Sequence, residues 1–134
     1  MAKLESIEGI GAKQAEKLAG IGIKNQKQLL EAGGKKSGRV KLAKESGISE
    51  KLILKWVNRA DLARVKGIGE EYADLLEFSG VDSVPALARR NANNLHTKMT
   101  EVNEAKKLVR TLPTLKKVEG WIDNSKTLER AVSH

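Results

Sequence analysis

Ile7-Glu8-Gly9-Ile10-Gly11-Ala12-Lys13 returns, little changed, as Val65-Lys66-Gly67-Ile68-Gly69-Glu70-Glu71, 58 positions later (67 − 9). In both copies an apolar residue leads into Gly-Ile-Gly, and an apolar helical pattern follows, through Ala15 and Leu18 or Ala73 and Leu76. A short glycine turn that opens a helix is a natural anion site. Glycine permits positive φ and has no Cβ to hold a phosphate away, and the helix beyond it points free N–H groups and its positive dipole end outward. The repeat thus sets the expected architecture and points toward nucleic acid.

Working outward, apolar residues recur at helical spacing almost everywhere, as in Leu52/Trp56 and Leu108/Leu112, and never alternate over a strand length. Glycines interrupt the pattern at 20, 22, 33, 34, 38, 47 and 80, so the helices are short and must be held by packing on one another. Pro85 and Pro113 suit helix starts, with Ser83 as a cap before the first. The expectation is an all-α fold, a compact array of about nine or ten short helices built from tandem repeats. Two units are expected, residues 1–60 and residues 61–134, the second including closing helices at the C-terminal end. Leu115-Lys116-Lys117-Val118-Glu119-Gly120 looks like a third, degenerate copy of Leu4–Gly9, closed by Trp121.

The 25 Lys and Arg against 17 Asp and Glu leave a net charge of +8, which favours polyanionic partners. Residues 35–59 carry eight basic and two acidic side chains, whereas residues 61–83 carry six acidic and two basic ones. The two turns therefore lie in opposite electrostatic settings. Aromatics are 3% of residues, too few for a single-strand stacking platform. With no cysteine there is no disulfide framework and no thiolate metal site. No apolar run approaches the ~18 residues of a membrane span, and no secretory core is evident, so a soluble cytoplasmic protein is expected. His96 and His134 have no ligand-spaced partner, and neither a P-loop, a nucleophile elbow nor HExxH occurs. Asp74 and Glu77 share a helical face that is read as solvated. The expectation is a non-enzyme without metal or cofactor.

The repeated turn resembles the helix-hairpin-helix motif, a sequence-independent DNA-binding element of repair and recombination proteins. Ile7, Gly9, Ile10, Gly11, Ala15 and Leu18 match its pattern, as do Val65, Gly67, Ile68, Gly69, Ala73 and Leu76. Over its length the chain is similar to a group of small, mainly bacterial proteins of unknown function with two such motifs, and this resemblance imports no activity. The motif implies backbone N–H groups on a phosphate and a cation two residues past the second glycine. That position is Lys13 in copy one and Glu71 in copy two. Glu70 and Glu71 suit a helix start but repel a phosphate, so Gly67, Ile68 and Gly69 are expected to be structural.

The nucleic-acid-binding residues expected from this reading are Gly9, Ile10, Gly11, Ala12, Lys13 and Lys17, extended electrostatically by Lys35, Lys36, Arg39 and Lys51. Double-stranded DNA is the expected partner, with RNA as the competing polyanion. The rival reading is a protein-interaction adaptor or assembly scaffold whose turns only pack and whose acidic 61–83 segment meets a basic protein. Residues 42–56 read either as a helix-turn-helix or as a degenerate hairpin at Ser46-Gly47-Ile48-Ser49, 37 positions after Gly9 (46 − 9). In both readings Trp56 is a core anchor.

Overall fold

Each glycine turn is fixed by the same backbone geometry. The first glycine takes positive φ, +94° at Gly9 and +91° at Gly67, where a side chain is strained. The isoleucine that follows is buried and donates its N–H three residues back, Ile10 to Ile7 O and Ile68 to Val65 O. The second glycine is extended and begins a helix, its O accepting from Ala15 N in one copy and Ala73 N in the other.

In the computed structural model, which describes residues 3–7 and 9–133 and every side chain among them except that of Glu70, the fold is all-α. Glu8, His134 and the Glu70 side chain, named above, lie outside the described residues. A 3₁₀ turn (Leu4–Ser6) precedes α1 (Ala12–Ala19), α2 (Gln26–Gly33), α3 (Lys36–Ser46) and α4 (Glu50–Leu62). Then come α5 (Glu70–Phe78), α6 (Val84–Ala88), α7 (Ala92–Lys106) and α8 (Leu115–Thr127). The chain divides into two units, Met1–Asp61 with Arg130–His134, and Leu62–Glu129.

The 58-residue register persists well past the turns. Gly22 and Gly80 both take positive φ, and the next residue, Ile23 or Val81, donates back to Leu18 O or Leu76 O. Asn25 and Ser83 then cap α2 and α6, accepting from Gln28 N and Ala86 N. Beyond α3 and α7 the offset changes, because α7 has 15 residues to α3's 11 and a longer loop follows it. Ser49 and Thr114 cap α4 and α8, each a 13-residue helix with a tryptophan at its seventh position. Trp56 and Trp121 thus stand 65 apart (121 − 56), 1% and 3% exposed, each against the first glycine of its own unit's turn.

This alignment overturns the third copy. Leu115–Gly120 is the first half of α8, capped by Thr114, and Gly120 lies in the helix interior. The resemblance to Leu4–Gly9 arises because a turn and a helix share apolar residues at i and i+3. The segment 42–56 is a helix, a three-residue connection and a helix. Gly47 has φ +74°, Ile48 is buried and Ser49 caps α4, so Gly47, and not Ser46, corresponds to Gly9.

Two apolar cores result. That of the first unit gathers Leu4, Ile10, Leu18, Leu29, Ile53, Trp56 and Val57, and Val132 from the C-terminal segment. That of the second gathers Val65, Ile68, Leu76, Leu87, Leu95, Met99, Val118 and Trp121. Trp121 also packs on Tyr72, ring centroids 5.3 Å apart.

Candidate functional site

In the first unit the turn is anchored from behind and bare in front. Buried Ile10 holds it to the core, and Trp56 of α4 lies beneath, its Nε1 3.5 Å from where a Gly9 Cβ would stand. That Nε1 is buried and makes no hydrogen bond among the described residues. Gly11, Ala12 and Lys13 are exposed, and a Cβ on Gly11 would meet nothing within 4 Å. No side chain caps α1, so its first N–H groups are left without a side-chain acceptor. Lys13 and Lys17 are exposed one helical turn apart on α1. Lys35 and Lys36, at the equally uncapped start of α3, and Lys51, in the first turn of α4, are also exposed.

The second unit has the same backbone with different surroundings. Gly69 starts α5 without a side-chain cap, in open space. Glu71 lines an open cleft of about 580 Å³ with Asn103, Glu104, Lys107 and Arg110. A separate cleft of about 360 Å³ is lined by Lys66, Gly67, Lys117, Gly120, Trp121 and Asn124.

A family model described as a domain of unknown function, DUF4332, matches residues 8–128. The chain belongs to that family. No curated protein and no solved structure matches it.

In this DUF4332 chain the expected contact at Arg39 is corrected. Arg39 is 3% exposed, and its guanidinium donates to Gly33 O (2.9 Å), Gly34 O (3.0 Å) and Ser133 O (2.7 Å). It ties the α2–α3 junction to the C-terminal segment. A Cβ on Gly34 would strike Ala131 O, so that segment seats directly on glycine backbone. Arg59 is also buried, at 6%, so the basic run 35–59 puts less charge on the surface than its composition suggests. His96 is structural, its Nε2 2.9 Å from Pro113 O. Among the described residues no group of three His, Asp or Glu side chains could hold a metal ion, and no helix is long and apolar enough to cross a membrane.

Sequence reasoning missed the Lys66/Lys117 cleft because it placed 115–120 in a turn. The signal was present in the tryptophans, spaced 65 apart while the turns are spaced 58 apart. On α8, Lys117, Gly120, Trp121 and Asn124 follow at i, i+3, i+4 and i+7 and form one face. Glycine in a helix interior costs roughly 1 kcal/mol relative to alanine. Nothing lies within 4 Å of a Gly120 Cβ, so packing does not require it.

Proposed function

We propose that the first unit is a non-catalytic helix-hairpin-helix module that binds double-stranded DNA through its phosphate backbone, without reading bases. The observation that carries this reading is the Gly9–Gly11 turn, which ends at an exposed, uncapped helix start with open space at Gly11 and cations at Lys13 and Lys17. The second turn is open at Gly69 as well; what the first turn adds is a pair of exposed cations, Lys13 and Lys17, where the second has Glu71. Those cations favour DNA binding over the adaptor reading. Lys35, Lys36 and Lys51 add long-range attraction in this scheme. A cytoplasmic setting goes with it.

The test is a fluorescence-anisotropy titration of the full chain with duplex DNA over a range of salt. With about three to five phosphates neutralised, log K falls against log salt with a slope of about −3 to −5. Lys13→Ala reduces that slope by about 1, equally for unrelated sequences. Gly11→Val is the sharper probe. Its φ of −87° suits valine and its Cβ space is empty, so folding survives while the approach of a phosphate is blocked. Binding that is absent at low salt, or indifferent to Gly11→Val in a folded protein, refutes the proposal.

A further inference from the structure

The 360 Å³ cleft of the second unit has the chemistry of an anion site, and it is not the turn-and-helix-start site proposed for the first unit. Among the described residues its lining holds two ammonium groups, Lys66 and Lys117, and no carboxylate. Both lysines are exposed, and neither has a carboxylate partner among the described residues. Among the described residues the nearby acidic groups do not line the cleft. Glu71 lines the other cleft, and Glu119 and Asp123 fall off the 117/120/121/124 face of α8 by helical periodicity. Asn124 Oδ1 accepts from Lys66 N at 3.1 Å, which orients the amide and leaves Nδ2 as a donor without a partner among the described residues.

The cleft is kept open by Gly120 and bounded on its other side by Gly67. Gly67, at φ +91°, gives one wall of bare backbone. Gly120 is the independent clue. Glycine is the least favoured residue in a helix interior apart from proline, no neighbour fills the space of its Cβ, and at the matching sixth position of α4 stands Lys55. What Gly120 leaves vacant is the cleft itself. The volume lies at the lower end of the range for small-molecule sites, and is that of about a dozen waters. A bare inorganic phosphate would leave most of it empty.

We propose that this cleft binds an organic phosphate monoester of mononucleotide size. The phosphate sits between Lys66, Lys117 and Asn124 Nδ2, and the organic body lies along Gly120 and the edge of Trp121. The proposal does not rest on DNA binding by the first unit.

The test uses the full chain, ¹⁵N-labelled, with two indole N–H signals assigned by Trp56→Phe. Adenosine monophosphate, adenosine, inorganic phosphate and a short duplex are titrated separately. Adenosine monophosphate is expected to move the Trp121 signal, and not that of Trp56, with saturation below about 1 mM, and adenosine or phosphate alone to bind at least tenfold more weakly. Gly120→Leu is the deciding variant. It fills the cleft with a better helix former, so Tm rises while affinity for the nucleotide falls at least tenfold. Lys117→Ala lowers the affinity several-fold with the fold intact. The proposal is overturned by no response at Trp121, by adenosine or phosphate matching the nucleotide, or by nucleotide affinity that survives Gly120→Leu. It is overturned equally if duplex competes for the cleft and loses affinity on Gly120→Leu, which would make the phosphate that of a nucleic acid. Loss of duplex binding in Gly11→Val with nucleotide binding retained separates the two sites.

Discussion

Arg39→Ala distinguishes a structural cation from a DNA contact. In the folded protein Arg39 is buried and its guanidinium holds three carbonyls at 2.7–3.0 Å, one of them 94 residues away in sequence. Hydrogen bonds from a charged donor are worth about 1.5–3 kcal/mol each, but three on one group are not additive, and water reaches some of the freed carbonyls. The carbonyls left behind are neutral, each costing about 1–3 kcal/mol if left without a donor, which for the partly rehydrated set comes to about 3–5 kcal/mol. That range is expected here, a large part of the ~5–15 kcal/mol that holds a domain together. Arg39→Lys should recover little, since one compact ammonium cannot replace a planar fork that reaches three acceptors. The C-terminal segment should share the loss. Val132 is 1% exposed and Ser133 N donates to Gly34 O at 2.8 Å, so Val132→Ala and Arg39→Ala should fall short of additivity in a double-mutant cycle. The assay is urea unfolding, paired with duplex titration at a temperature where the variant is folded. A variant with unchanged stability and weakened DNA binding would refute the structural assignment and restore Arg39 as a surface contact.

Gly9→Ala and Gly67→Ala should each cost about 1–3 kcal/mol from positive φ. Gly67→Ala should cost more, because its Cβ would stand 3.0 Å from Trp121 Nε1 against 3.5 Å from Trp56 Nε1 at Gly9; the reverse order in urea melts would count against the tryptophan-backed turn. Trp56→Ala should cost about 3–5 kcal/mol through lost burial and a cavity, while Trp56→Phe should cost less than half as much, since the Nε1 surrendered makes no hydrogen bond among the described residues. If Trp56→Ala left Tm unchanged and abolished nucleic-acid binding, Trp56 would be a stacking residue and not a core anchor.

The helical class, the doubled turn and the cap at Ser83 were legible because each is a local matter. Period, positive φ and capping are settled within four or five residues. Trp56 was legible as core for the same reason, with Ile53 one turn before it and Val57 beside it on the buried face. Arg39 was not, since two of its acceptors are backbone at Gly33 and Gly34 and the third is at Ser133, which no window around residue 39 contains. The helix α8 was misread for a subtler reason. Leu115-x-x-Val118-x-Gly120 satisfies the turn's pattern as well as the helix's, and only the cap at Thr114 and the helical residues beyond Gly120 decide between them. Of the expected contact residues, Lys13, Lys17, Lys35, Lys36 and Lys51 stand exposed, and Arg39 does not.

The two units share their interior and differ at their edges. Gly9 and Gly67, Ile10 and Ile68, and Trp56 and Trp121 occupy matched places with nearly equal φ and burial. These are positions where a change creates a cavity or strain. The matched surface positions instead exchange charge. Lys13 beside the first turn becomes Glu71 beside the second, while Leu52 and Lys55 on α4 become Lys117 and Gly120 on α8. Positive charge has thus left the helix start in the second unit, and on the helix face it has moved from the place of Gly120 to that of Lys117, beside the vacancy at Gly120. Repetition of a packing frame accounts for the interior residues, but it cannot account for that relocation, because exposed charges contribute little to stability. A redistribution so placed, one arrangement at a helix start and the other at a cleft, fits the two different anionic ligands proposed for the two units.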